Sequence, residues 1–250
     1  MGRALHAEWT KLRTSPGTGW LLLGVVAATL LVSWVSLASC AHDQCTVDTP
    51  RLSLTGVQLG QAVVAVLAVL VVGTEYSTGL IGVTLAALPR RGTVLAAKAV
   101  VVTGPVLLAA VVAVGGSLLL GHLMLDGFPA WSAAQARAAG GSVLYLALVG
   151  LLGVGLAAVL RNSAAAIGAV LGLLYLFPIV AGAASDPDWQ KHLQQAGPMS
   201  AGLSVQATVG LDDLSIGPWR GLGVLAAWAA GALLLGMGAL NWRDAGAASR

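Results

Sequence analysis

The sequence predicts an all-α integral membrane protein with six transmembrane helices, and three observations carry that prediction. Charged residues make up 9% of the 250 positions and hydrophobic residues 57%, whereas a soluble globular domain is about a quarter charged. Six apolar runs recur along the chain, each close to the roughly 20 residues needed to cross a ~30 Å hydrocarbon core. Glycine occurs 33 times, and small residues let helix backbones approach one another in lipid. The mean hydropathy of +0.86 agrees with all three. No basic face interleaved with aromatics is present, which argues against nucleic-acid binding.

The elements follow in order within a single domain over 1–250. Residues 1–18 carry Leu5, Trp9 and Leu12 at helical spacing beside Arg3, Lys11 and Arg13. This is the pattern of an interfacial helix, with Trp9, Lys11 and Arg13 as headgroup anchors. Ser15-Pro16-Gly17 is expected to break it. Spans are expected at about 19–39, 57–73, 99–125, 141–160, 164–184 and 219–240. The second has room to start at Leu52, and Pro105 and Gly115-Gly116 are expected to interrupt the third. Arg161-Asn162-Ser163 is so short a turn that spans four and five must run antiparallel. Ser185–Pro218, 34 residues with four acids, is the longest loop.

Alternating sides of this topology hold unequal positive charge. Arg3, Lys11, Arg13, Arg90, Arg91, Lys98, Arg161, Arg243 and Arg250 fall on one side, and Arg51, Arg137, Lys191 and Arg220 on the other. Nine against four places the first set, and both termini, in the cytoplasm.

The stretch Gly73–Lys98 stands out because it concentrates Glu75, Arg90, Arg91 and Lys98 between two apolar runs. Leu80, Ile81, Thr84, Leu85 and Leu88 share one helical face. Gly79, Gly82, Val83 and Ala86 lie toward the other, where small side chains admit a second protein surface. Pro89 then ends the helix, and Arg90-Arg91 anchor its exit at the membrane boundary. Two readings are open: a docking helix moved by a partner, and a helix that merely connects two spans.

Recognisable catalytic chemistry is absent. No G-x-x-x-x-G-K-[ST], H-E-x-x-H or G-x-S-x-G occurs in the chain, so it holds neither a P-loop for ATP nor those two catalytic motifs. No span centre carries Asp, Glu, Lys or Arg, the groups through which ion-driven transporters couple. His122, near the end of the third span, reads as an interfacial polar residue. The energy for any transport is therefore expected from outside the chain. Cys40 and Cys45 are the two cysteines. They are candidates for a disulfide on the oxidising side, while Leu37-Ala38-Ser39-Cys40 also matches a lipidation signal. Cys40, His42, Asp43 and Cys45 form a short, isolated set of metal-ligand types, and no metal site is assigned.

Three stretches together resemble the ABC-2 type transporter permeases of bacteria, especially actinobacteria. They are Glu8-Trp9-Thr10-Lys11-Leu12-Arg13-Thr14; Glu75-Tyr76-Ser77-Thr78-Gly79 with Thr84-Leu85-Ala86-Ala87-Leu88-Pro89-Arg90-Arg91 and Lys98; and Gly197-Pro198-Met199-Ser200-Ala201-Gly202. The resemblance implies an N-terminal elbow helix, a cytoplasmic coupling helix and short re-entrant outer helices before the sixth span. It implies a multi-pass subunit of the cytoplasmic membrane that exports an amphipathic or hydrophobic cargo. Its partners would be two cytoplasmic ABC ATPase subunits and a second copy or related permease. ATP and Mg would sit on the ATPases, with no cofactor bound here and no enzymatic activity in this chain. Glu75, Tyr76, Ser77, Thr78, Gly79, Leu80, Gly82, Val83 and Ala86 would couple to the ATPase. Members often carry a further charge around Ser77 and Gly82, which this sequence lacks. The alternative of another class is a membrane anchor or sensor that recruits a cytoplasmic partner without transport.

Overall fold

A computed structural model describes residues 2–43, 48–80, 82, 91–125, 128–183 and 185–243. Among the described residues the regular structure is entirely helical, and six helices are long and apolar enough to cross a membrane. A first helix α1 (Gly2–Thr14) is followed by α2 (Pro16–Asp43), the short α3 (Thr49–Ser53), α4 (Val57–Ser77), α5 (Arg91–Met124) and α6 (Ala133–Leu160). The fifth span comprises α7 (Ser163–Leu171), a π-helical turn at Gly172–Leu176 and α8 (Phe177–Gly182). Next come α9 (Pro187–Ala196), α10 (Pro198–Gly202), single 3-10 turns at Leu203–Gln206 and Leu211–Asp213, and α11 (Pro218–Arg243).

The centre of the bundle is the pair α4 and α6. Each has 61% of its most apolar window buried, against 22% for the first and fifth spans. Val64, Ala68, Val72, Leu146, Val149 and Leu152 form the heart of a continuous apolar core. Small residues set the spacing. A Cβ on Gly153 would lie 2.9 Å from the Ala68 methyl, and one on Gly155 would lie 2.6 Å from the Ala232 backbone. Lipid supplies no hydrophobic drive between helices, so this close dispersion packing is what holds them.

Several expected boundaries move. The break at Ser15-Pro16-Gly17 shrinks to Ser15, because Pro16 opens α2 as its first residue, where a missing N–H costs nothing. The third span is not interrupted: α5 runs through Pro105 and Gly115-Gly116. Gly116 instead accommodates Leu30 of α2, whose methyl would come within 2.8 Å of a Cβ there. The fourth span begins eight residues earlier than expected, at Ala133 rather than Gly141. Ser132 Oγ accepts from the Gln135 N–H (3.2 Å) and Gln135 Oε1 from the Ser132 N–H (3.0 Å), a capping box that starts the helix there. The tight turn is as expected: Arg161 adopts φ +55° and Asn162 caps α7 through the Ala165 N–H.

At one end of the bundle α1 lies beside the end of α4 and the start of α5. This end is called the N-terminal face and the opposite one the distal face. Cys40 is buried at the distal end of α2. Cys45 lies outside the described residues, and so does a Cys40–Cys45 bridge.

Candidate functional site

The second and third spans were expected to end and begin around Gly73 and Ala99; instead they reach Ser77 and Arg91. That extension places Glu75 in the last turn of α4 and Lys98 in the second turn of α5. Both side chains are buried, Lys98 at 2% exposure. On α1, Glu8 and Lys11 stand three residues apart and so share a face. The four meet. Lys98 Nζ lies 2.8 Å from Glu8 Oε2 and 2.7 Å from Glu75 Oε1, and Lys11 Nζ lies 3.1 Å from Glu8 Oε1 and 2.9 Å from Glu75 Oε1. Two acids and two bases give a neutral knot. It joins α1 to the last turn of α4 and the first turns of α5.

Burying one charge costs several kcal/mol, and partners must offset it. The knot meets that requirement through shared atoms, since each lysine reaches both carboxylates. Glu75 Oε2 is the exception: it is sealed from solvent with no hydrogen-bond donor among the described residues. Lys11 sits at the edge, its side chain 44% exposed. Desolvation pulls its pKa down, but the hydrogen bonds and charges of Glu75 and Glu8 prevail and raise it above the usual lysine value.

Glu75, expected among the residues that meet a partner, has its carboxylate turned toward Lys11 and Lys98 and is 6% exposed. Tyr76 is half-buried, with the Arg161 guanidinium 5.6 Å above its ring. Arg161 also donates to the Ala239 carbonyl (2.8 Å), tying the ends of α6 and α11 to that of α4. Ser77, Thr78, Gly79, Leu80 and Gly82 are exposed. The continuous helix expected from Glu75 is broken at Gly79, where φ is +73°. Thr78 caps α4 by donating N–H (3.0 Å) and hydroxyl (2.7 Å) to the Thr74 carbonyl. Val83 and Ala86, with Ile81, Thr84, Leu85, Leu88, Pro89 and Arg90, lie outside the described residues. Of the anchors, Trp9 is 47% exposed and Arg13 is exposed, while Lys11 belongs to the knot. Arg91 starts α5.

A second polar assembly occupies the distal half of the bundle and uses mostly neutral groups, with Arg137 of α6 donating to the Ala207 carbonyl (2.7 Å). Tyr145 and Gln61 are fully buried, and the Tyr145 hydroxyl donates to Gln61 Oε1. Gln61 Nε2 donates to Met199 Sδ (3.2 Å), and Gln206 Nε2 donates to Ser142 Oγ (3.1 Å). Tyr175, on the π turn, donates to the Gln58 carbonyl. Pro178 brings no N–H to the helix, and the chain makes a π turn just before it, a feature frequent at functional sites.

The segment from Pro198 to Ala207 is almost wholly buried between α4, α6 and α11. Glycines admit it: a Cβ on Gly202 would meet the Tyr145 ring at 2.6 Å, one on Gly141 Val205 at 2.2 Å, and one on Gly221 the Ala201 carbonyl at 1.9 Å.

Asp48 fastens this segment from outside. It accepts from the Thr208 N–H (2.6 Å) and hydroxyl (2.5 Å), the Val209 N–H (3.2 Å) and the Arg51 N–H (3.1 Å). Desolvation would raise its pKa, but these donors outweigh that effect and lower it. A pocket of about 700 Å³, lined by Arg51, Gln58, Lys191, Met199, Asp212 and Asp213 among others, opens beside these groups. His122 is at the distal end of α5, edge-on to the Phe128 ring at 6.0 Å.

Sequence reasoning passed over Glu8, Gln61, Tyr145, Gln206 and Asp48. The signal for Glu8 was present: on the face that collects nine of the thirteen bases, Glu8 and Glu75 are two of only three acids. The sequence matches no family model and no curated protein.

Proposed function

We propose that this chain is the membrane permease subunit of an ATP-driven exporter of the cytoplasmic membrane. The observation that carries this reading is the neutral knot of Glu8, Lys11, Glu75 and Lys98. It makes α1 and the ends of the second and third spans one mechanical unit beside the exposed residues Ser77–Leu80. Force applied to those residues from the cytoplasm would reach both spans and the elbow helix together. The empty span centres support an external energy source, since buried ionisable groups are what an ion-driven carrier needs. ATP and Mg would be bound by two partner ATPase subunits. A second copy of the chain, or a related permease, would complete the path for an amphipathic cargo. The buried Pro198–Ala207 segment fits the role of re-entrant helices that close the path from outside.

Gly79 is a poor probe of the docking surface, because its left-handed backbone would strain any replacement. Leu80, half-exposed, is the better one. Affinity purification of the full chain from native membranes is expected to recover a P-loop ATPase without membrane spans. Leu80→Glu should cut that recovery by about tenfold, as a charge set into an apolar contact does, while the chain still inserts. An unaltered wild-type preparation with no ATPase would overturn the transporter reading and favour an anchor that recruits another partner.

A further inference from the structure

The pocket of about 700 Å³ in the distal half of the molecule has the size of a small-ligand site, about 300–1,000 Å³. Its walls come from segments far apart in the chain. Arg51 is contributed by α3 and Lys191 by α9, while Asp212 and Asp213 belong to the 3-10 turn at Leu211–Asp213. Among the described residues no ion pair engages any of these four charges. Two bases and two acids leave the lining neutral, so it selects neither a simple cation nor a simple anion. It suits a molecule that carries both signs at separate ends. Gln58 and Gln194 also line it, and their amides can donate and accept as a peptide group does. Met199, Leu203 and Leu214 supply an apolar side.

The walls are held in place by the protein itself. Asp48 Oδ1 accepts from the Arg51 N–H (3.1 Å) and so fixes the start of α3. Ser200 Oγ donates to the Gln194 carbonyl (2.7 Å), joining α10 to α9. Gln195 Nε2 donates to the Ser215 carbonyl (2.5 Å), and the Asp213 N–H to the Gly210 carbonyl (3.2 Å), so the loop that carries the two acids is tied to α9. A site ordered in advance loses little affinity to ordering when its ligand binds.

We propose that this pocket binds a short peptide with free ends. Its carboxylate is received by Arg51 and Lys191, its ammonium by Asp212 and Asp213, and an apolar side chain rests on Met199, Leu203 and Leu214. The site stands apart from the transport reading, since the chain without any ATPase is enough to test it.

The test titrates trileucine into the detergent-purified full chain and follows binding by calorimetry. Saturable binding of one peptide per chain is expected, weakened by added salt. N-acetyl trileucine amide, which lacks both end charges, should bind about tenfold more weakly. Partition into the micelle would run the other way, because blocking the ends makes the peptide more apolar. Arg51→Gln with Lys191→Gln should lower the affinity for trileucine about fivefold, the scale of an exposed charge pair, and leave that for trileucine amide unchanged. Asp212→Asn with Asp213→Asn should act in the same way on the amine end and spare N-acetyl trileucine. All four positions are exposed, so both variants should keep the wild-type thermal transition; if one loses it, the other decides. The proposal is overturned if the wild type shows no saturable binding or holds the blocked peptide as tightly. It is equally overturned if a folded variant loses no affinity, or loses as much for the peptide blocked at the matching end.

Discussion

The two ends of this bundle solve the same problem with different groups. At the N-terminal face α1, α4 and α5 are joined by four ion pairs among Glu8, Lys11, Glu75 and Lys98. Toward the distal face, α4, α6 and the Pro198–Ala207 segment are joined mainly by amide, hydroxyl and thioether groups, with two ionised members at the margin, Asp48 and Arg137, whose guanidinium donates to the Ala207 carbonyl (2.7 Å). The difference follows from solvent access. An ion pair tolerates burial where one partner, here Lys11, is 44% exposed. Around the fully buried Tyr145 and Gln61 an unpaired charge would cost far more than an unpaired amide. The charged knot is therefore stiff and fails abruptly when one member is lost. The neutral seam loses its contributions singly.

The largest effect should come from Lys98→Met, which leaves Glu8 and Glu75 buried with only Lys11 to share. We expect a loss of about 3–5 kcal/mol, as for other buried pairs broken from one side, visible in thermal or SDS denaturation of the purified chain. Lys98→Met combined with Glu75→Leu removes the orphaned charge and should recover part of that loss. A double variant no more stable than the single one would mean that packing, and not charge, holds the knot.

Tyr145→Phe should cost less, about 1–3 kcal/mol, by leaving Gln61 Oε1 without its donor inside the bundle. Gln61→Leu in the same background should add only the share of its bond to Met199, because the Tyr145–Gln61 bond is already gone. Additive losses in that cycle would show the seam to be a set of independent contacts.

The smallest effects separate the two ends by pH. Asp48 has its pKa lowered on folding, so its contribution is complete above the ordinary value near 3.8 and fades as pH falls through the lower folded value. Lys11 has its pKa raised, so its contribution is complete below the ordinary value near 10.5 and fades as pH rises through the higher folded one. The stability difference between wild type and Asp48→Asn should vanish at the acid end, and that for Lys11→Met at the alkaline end. With Lys11 half-exposed, its effect should stay at about 1 kcal/mol or less. A difference for either variant that is flat across pH would remove its ionised group from the comparison.

Much of this architecture can be read directly from the residues. Apolar runs of spanning length mark all six helices, because lipid leaves the backbone no other way to satisfy its hydrogen bonds. The Arg161-Asn162-Ser163 turn is local chemistry, visible in a few consecutive positions; the Ser132 capping box is as local, but the reading that began the fourth span at Gly141 missed it. The knot is of another kind. Glu8 and Lys98 are 90 residues apart, and Lys11 and Glu75 are 64 apart. Each reads, on its own, as a charge at the end of an apolar run that belongs to water. Only the packing of α1 against α4 and α5 turns all four inward and reverses the exposure of Glu75. Likewise Gly197-Pro198-Met199-Ser200-Ala201-Gly202 announces a small-residue segment, but not that Tyr145 and Gln61 wait beneath it. The sequence by itself determined where helices must form, since that depends on hydrophobicity and length. Tertiary structure alone decided which polar side chains find each other, since a buried charge or amide is acceptable only beside a partner that another helix brings.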